Sequence, residues 1–318
     1  MIKKNKKTKL RYGENPNQNS YLLHNKSNSI FKFQISGKDI SYNNIIDVDS
    51  GLECLNEFNE ATCVIVKHTN PCGVAASNNI LNSFKKAFSS NSKSAFGGVV
   101  LLNRKVTFQL AELLNKFFFE IIVAPNFEDK AVKKLSEKKN LILLKIPKFK
   151  KNLTEIKSTI FGDLYQEKNL SVIRRNFIKL VSKKKTSAER IEDIIFALKV
   201  VKHLKSNSIV LAYNKQTLGI GQGQTNRADA LNYAIKNMKN GFSLKNYVCA
   251  SDGFFPFTDG INILRRNGCR IVAQPFGSIN DIKIINCAIK NNLSLYFIKN
   301  RLFKHWKNYL KFQVTLKI

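Results

Sequence analysis

Lys67 and His68 sit side by side where the apolar run Cys63 to Val66 ends, just ahead of the turn-forming Asn70-Pro71-Cys72-Gly73. A neutral imidazole can take or give a proton near neutral pH, and an adjacent ammonium can stabilise charge that develops during a reaction. A Lys-His pair at the end of a buried strand is therefore a candidate for proton transfer with charge stabilisation. A histidine in such a place can also do no more than bond a loop carbonyl.

Three other segments join Gly or Pro to reactive side chains. Gly219-Ile220-Gly221-Gln222-Gly223-Gln224, followed by Thr225, Asn226 and Arg227, places alternating glycines between a strand and a helix. Backbone N–H groups there could approach an anion at the helix N-terminus, or the glycines could simply form a tight turn. The spacing is neither a dinucleotide-binding G-x-G-x-x-G nor a Walker A loop. Ala250 to Asp259 holds Phe254, Phe255 and Phe257 between Asp252 and Asp259. It reads either as an apolar wall with acidic anchors for a planar amino-heterocycle or as a hydrophobic plug. Lys9 to Gln18 is turn-rich and offers Arg11 for bidentate phosphate binding, or else it crosses the surface as an arm.

The elements that must position these segments alternate between β-branched runs and helical patterns, the mark of an α/β protein. Strands are expected at Cys63 to Val66, Gly98 to Leu102, Ile121 to Val123 and Leu141 to Ile146. Between them the spacing predicts helices over Asn79 to Phe88, Thr107 to Phe118 and Asp129 to Lys138. Thr186 with Glu189 has the form of a capping box, opening a helix that runs to about Ser206. Strands then follow at Ile209 to Tyr213, Thr217 to Ile220, Tyr247 to Ala250, Arg270 to Ala273 and Leu293 to Ile298. Helices fit at Arg227 to Met238, Gly260 to Asn267 and Asp281 to Lys290. The Lys-rich stretch Lys148 to Glu167 is the expected connection between two α/β halves, and no sequence repeat is evident between them.

The chain has 318 residues, 43% hydrophobic, enough for a large core or two domains. Its 53 Lys and Arg face 22 acidic residues, a formal net charge of +31. Such a charge attracts polyanions. The lysines are scattered, however, with only short clusters such as Lys183-Lys184-Lys185, so the bias reads as solvated surface rather than a nucleic-acid tail. The six cysteines form no C-x-x-C pair and, with four histidines, give neither a zinc site nor a disulfide framework. Reduced thiols, the charged N-terminus and the brevity of the longest apolar run point to a soluble, cytoplasmic protein with no membrane partner.

Taken together, the four segments resemble the 5-aminoimidazole-4-carboxamide ribonucleotide (AICAR) transformylase part of the bifunctional purine-biosynthesis enzyme family, from about Leu10 to His305. Further matching motifs are Asp47-Val48-Asp49, Ser94-Ala95-Phe96-Gly97-Gly98, Ile122-Val123-Ala124-Pro125 and Lys205-Ser206-Asn207-Ser208. Gln274-Pro275, Gly277-Ser278-Ile279 and Arg301-Leu302-Phe303-Lys304-His305 complete the set.

The resemblance implies two similar cytidine-deaminase-like α/β subdomains, residues 1–150 and 151–318, in a homodimer. It implies transfer of the formyl group of 10-formyltetrahydrofolate, as co-substrate, to the 5-amino group of AICAR, on the way to inosine monophosphate (IMP). By similarity, His68 would move protons while Lys67 stabilises charge or protonates the leaving nitrogen. Arg11, Tyr12, Gly97, Glu120 and Arg301 would contact the nucleotide. Asn207, Arg227, Phe254, Asp259, Phe303 and His305 would line the nucleotide–folate pocket. Ser206, Ser208 and Asp252 match a potassium site known in some members. The chain departs from the family pattern at Asn17, Gln222, Asn226 and Phe276. Only Met1 to Lys9 precede the matching region, so IMP cyclohydrolase activity is not expected of this chain; a single-function enzyme, a relic and a split gene with a separate cyclohydrolase as partner are the alternatives. The contrasting reading is a decayed, non-catalytic basic scaffold that holds nucleic acid or such a cyclohydrolase.

Overall fold

A computed structural model describes residues 6–24, 29–147 and 153–304. They form two compact units, Met1–Ile173 and Arg174–Ile318.

The first unit begins with strands β1 (Lys6–Lys9), β2 (Tyr21–His24) and β3 (Gln34–Ser36), then helix α1 (Tyr42–Leu55). A hairpin of β4 (Ala61–Lys67) and β5 (Asn70–Ser77) follows, then α2 (Ile80–Ser90), α3 (Ser92–Ala95) and β6 (Val99–Leu102). The unit continues with α4 (Phe108–Asn115), β7 (Ile121–Ala124), α5 (Asp129–Ser136) and β8 (Ile142–Lys145), and closes with β9 (Thr154–Thr159) and β10 (Gly162–Glu167). Its main sheet has the order β5-β4-β6-β7-β8-β3. β4 runs antiparallel to β5 and β6, β6 to β8 are parallel, and β3 is an antiparallel edge.

The second unit comprises β11 (Ile178–Leu180), α6 (Ala188–Val201), β12 (Ile209–Tyr213), β13 (Gln216–Gly221), α7 (Arg227–Lys239) and β14 (Val248–Ser251). It ends with α8 (Asp259–Arg266), β15 (Ile271–Pro275), α9 (Asp281–Lys290) and β16 (Ser294–Ile298). Its sheet order is β13-β12-β14-β15-β16-β11. The senses repeat those of the first unit: an antiparallel β12–β13 hairpin, parallel β14 to β16, and antiparallel β11 at the edge. The main sheets of the two units and the helices that connect their strands share one topology, to which the first unit adds β1, β2, α3, β9 and β10. The sequence carries no visible repeat because packing constrains side-chain volume and polarity rather than identity.

The central strands are buried on both faces, so they read as unbroken apolar runs. Val100, Leu102, Ile122 and Leu143 pack with Phe84, Leu110 and Leu135 in the first core, and Leu211, Cys249, Val272 and Leu295 pack with Leu231, Leu264 and Ile284 in the second. Phe84, Phe88, Phe117 and Phe119 stack edge-on and tilted with centroids 4.2–6.4 Å apart, which absorbs most of the Phe117 to Phe119 run.

Four local expectations are corrected. The segment after Val66 is not a loop. It is a two-residue turn leading straight into β5, whose Pro71, Cys72 and Gly73 disguise it as irregular chain. Gly219 and Gly221 lie inside β13, where a Cβ would come 2.1 Å from the Ala234 carbonyl oxygen and 1.8 Å from that of Ala230. They are glycines because α7 lies against the strand backbone, not because an anion approaches. Gly73 plays the same part beneath α2, with Ala87 O at 2.1 Å. Helix α6 is capped at Ser187 rather than Thr186, and it stops at Val201. Finally, residues 154–167 of the expected connection pair as the antiparallel β9–β10 hairpin.

Candidate functional site

β4 and β5 are joined through His68 and Thr69 alone, with Lys67 paired opposite Asn70. Both turn residues have positive φ, 52° and 64°, the geometry of the type I′ turns that match strand twist. Gly and Asn adopt it readily. A β-branched Thr does so at a cost of about 1–3 kcal/mol, which the surroundings must offset. α1 supplies the support. Asp47 Oδ1 accepts the Thr69 N–H at 2.6 Å, and Ser50 Oγ donates to the Thr69 carbonyl at 2.6 Å. Thr69 Oγ1 and Asn70 Nδ2 both donate to the His68 carbonyl, at 2.6 and 2.8 Å. The imidazole is left exposed on a braced turn. Burial raises the Asp47 carboxyl above its ordinary range; the Thr69 N–H and the His68 charge oppose the rise and Glu120 adds to it.

The other expected residues of this unit connect either to Lys67 or to α1, the helix that braces the turn. Lys67 Nζ donates to the Phe96 carbonyl. Gly97, at φ 67°, has the Phe118 ring 3.3 Å and Lys67 Nζ 3.6 Å from where a Cβ would stand, so a side chain there would be strained, crowd the Phe118 ring and touch the lysine. Phe96 and Phe118 form a tilted, solvent-exposed ring pair at 5.1 Å. Glu120 follows Gly98 through a backbone bond of 3.0 Å and accepts from Asn44 Nδ2 at 3.1 Å. Arg11 donates to the Tyr12 hydroxyl at 2.9 Å, and the Tyr12 carbonyl accepts the Tyr42 N–H at the start of α1. Arg11 Nε is buried and finds no hydrogen-bond partner among the described residues. One helix thus touches every part: Tyr42 at Tyr12, Asn44 at Glu120, and Asp47 and Ser50 at the turn. Composition hid α1, because Asn43, Asn44, Asp47, Asp49 and Ser50 dilute its apolar face. The signal that could have found it is Ser41 with Asn44, which form a reciprocal capping box.

In the second unit the expected residues centre on a buried guanidinium. Arg227 opens α7, capped by Asn226, whose side chain accepts the Asp229 N–H at 2.8 Å. Arg227 Nη1 donates to Ser251 Oγ and Asp252 Oδ1, both at 2.6 Å, and Nη2 donates to Asn207 Oδ1 at 2.8 Å. Asn207 Nδ2 in turn donates to the carbonyls of Gln224 and Thr225. Phe303 lies 5.8 Å from the guanidinium, and Arg301 lies 4.6 Å over the Phe254 ring. Burial holds the Arg301 guanidinium below its ordinary pKa; Asp281 opposes that and Arg227 reinforces it. Ser206 Oγ accepts the Lys304 N–H. Ser208 Oγ and Asp252 Oδ2 are buried with no hydrogen-bond partner among the described residues. The phenylalanine loop divides its duties: Phe255 is core beneath Gly260, Phe254 serves Arg301, and Phe257 is exposed. Asp259 is exposed at the start of α8. His305 lies outside the described residues.

The two clusters occupy opposite ends of equivalent sheets. In the second unit Asp252 and Phe254 follow the carboxyl end of β14, where ligands gather in α/β proteins. In the first unit Gly97 and Glu120 precede the amino ends of β6 and β7, and the turn caps β4.

Fold and sites define a duplicated α/β protein bearing a Lys-His turn in one unit and a buried arginine hub in the other. The chain belongs to the AICARFT/IMPCHase bienzyme family, which residues 1–237 match. It is 46% identical over 305 residues to the bifunctional purine biosynthesis protein PurH of Caldicellulosiruptor saccharolyticus and 41% identical over 302 to that of Aquifex aeolicus. It is 42% identical over 308 residues to the PurH of Wigglesworthia glossinidia brevipalpis. The first two alignments take in 93% of this chain and 59% of the relative; the third takes in 94% and 58%. The chain thus spans under two thirds of the length of these relatives.

Proposed function

We propose that this chain performs the formyl transfer of its family, from 10-formyltetrahydrofolate to the 5-amino group of AICAR, in purine biosynthesis. The observation that supports this reading best is the exposed His68 held beside Lys67 on a braced turn, with Gly97 next to Lys67 and with Glu120 and Tyr12 bonded to the helix that braces the turn. The arylamine is a poor nucleophile, so attack on the formyl carbon needs its proton removed as the new C–N bond forms. His68 takes that proton. Lys67 stabilises the carbonyl oxyanion and supplies a proton to N10 as the old C–N bond breaks. Arg11 in the first unit, and in the second Arg301 with Phe254 packed beneath it, each offer a guanidinium suited to a phosphate. Arg227 keeps Asn207 and Asp252 in place.

Potassium fits the second unit, because Ser208 Oγ and Asp252 Oδ2 are buried hard oxygens without partners among the described residues. These two would hold the ion, with Ser206 two residues before Ser208 in the chain, and it would satisfy the oxygens that the Arg227 ion pair leaves unpartnered. A rise in Tm with potassium that choline does not reproduce, and that Asp252→Asn abolishes, is the expected result. A homodimer with shared folate sites is part of the same proposal.

The test is an assay of purified protein with AICAR and 10-formyltetrahydrofolate, read as tetrahydrofolate release. His68→Ala should lower turnover about 10²-fold. No release above background from folded wild-type dimer would reject the proposal. Salt-sensitive binding of nucleic acid that ignores AICAR would instead favour the basic-scaffold reading.

A further inference from the structure

We propose that Asp47, on α1, is the positioning residue of the Lys67-His68 turn and acts through Thr69. Its carboxylate accepts the Thr69 N–H at 2.6 Å while Ser50, on the same helix, donates to the Thr69 carbonyl at 2.6 Å. Both polar groups of a residue in the left-handed region are therefore held from one rigid element. A two-residue turn cannot relax at Thr69 without moving His68, so the clamp fixes where the imidazole points.

The duplicated unit shows that the bond from helix aspartate to turn amide is a recurring way of bracing this hairpin. Asp193 occupies in α6 the place Asp47 occupies in α1, both helices being 14 residues long. Its carboxylate accepts the N–H groups of Asn214 and Lys215, at 3.0 and 2.8 Å, across the β12–β13 turn. Those residues also have positive φ, 48° and 51°. The turn residues differ completely between the two copies, yet the helix aspartate and its bond to the turn amides recur.

The copies differ in what neutralises the carboxylate. Arg190 forms an ion pair with Asp193. Asn44 stands at the equivalent place in α1, and its amide goes to Glu120 instead. The charge of Asp47 is thus left facing the turn, with the His68 imidazole and Glu120 as the ionisable groups in its field. The unit bearing His68 keeps the clamp and omits the arginine, so the carboxylate braces the turn with no cationic partner from its own helix.

Amide hydrogen exchange and steady-state kinetics on the whole chain test this. Asp47→Ala should speed exchange of the Thr69 amide about tenfold or more and lower kcat about 10- to 10²-fold, with the AICAR KM changed less than about threefold. Asp47→Asn retains an acceptor for the Thr69 N–H, so it should keep the exchange protection and recover most of the kcat lost in Asp47→Ala. Asp193→Ala should expose the Asn214 and Lys215 amides while leaving kcat unchanged. Unaltered Thr69 exchange in Asp47→Ala would overturn the proposal. An equal loss of kcat in Asp193→Ala would do the same, because it would make the aspartates merely structural. The kinetic arm rests on the formyl-transfer reading, whereas the exchange arm does not: inactive wild-type protein would sink that reading and still leave the clamp decided.

Discussion

Arg227 Nη1 donates to Asp252 Oδ1 at 2.6 Å with both side chains almost wholly buried. Removing one partner of such a pair strands the other charge in a dry site. Arg227→Ala should therefore lower unfolding free energy by about 3–5 kcal/mol in denaturant titration. Gly253→Ala should also disturb the hub, because its Cβ would fall 2.3 Å from Nη2. A Gly253→Ala protein with wild-type stability and turnover would contradict that geometry.

The glycine run after Leu218 separates two physical roles. Gly221→Ala drives a methyl group to 1.8 Å from the Ala230 carbonyl and should cost about 1–3 kcal/mol or more as α7 is pushed off β13. Gly223 has open space around it but a φ of 67°, so Gly223→Ala should cost only about 1–2 kcal/mol. Thermal unfolding of the two variants ranks them. The reverse order would contradict the close contact of α7 with the β13 backbone.

Thr69→Gly should relieve the left-handed strain of a β-branched residue while keeping the backbone bonds to Asp47 and Ser50. A gain of up to about 1 kcal/mol in stability is expected, offset in part by the greater freedom of glycine in the unfolded chain. Calorimetry would show a fall in Tm instead if Thr69 were unstrained.

Lys168 titrates above its ordinary 10.5. Burial pulls it down, but the hydrogen bond and charge of Glu53, with help from Asp49 and Glu155, outweigh burial. A lysine with a raised folded pKa contributes stability that is complete below 10.5 and is lost as pH rises through the folded value. The Tm difference between wild type and Lys168→Met should thus be constant at neutral pH and shrink above about pH 10.5. A difference that persists unchanged in strong alkali would remove Lys168 from the pair.

All six cysteines are free, and burial pushes the Cys72 and Cys269 thiols up to about 12. Thiolates being the reactive form, native protein should react slowly with a disulfide reagent, and denatured protein should release six equivalents. A fast native thiol that persists in Cys287→Ser would show that the β4–β5 hairpin opens readily at Cys72.

Much of this was legible in residue order. Ile209 to Tyr213 and Asp281 to Lys290 form the expected strand and helix to the residue, because a buried strand and an amphipathic helix each impose their own period on apolar side chains. The pairing of Lys67 with His68 could be seen as chemistry before any fold was known. The structure adds that Asn226, noted only as a departure from the family pattern, caps α7 with its side chain.

What tertiary structure alone decided concerns surfaces that meet across long separations. β5 was hidden because Gly73 is chosen for the helix above it, not for strand propensity. α1 was hidden because its polar residues, Asn44, Asp47 and Ser50, are chosen for Glu120 and Thr69. The chain alone determined the alternation of elements and the reactive side chains, since periodicity and residue chemistry are local. Which end of each duplicated sheet carries them, and which helix holds them still, follows from packing between distant segments, which no local pattern records.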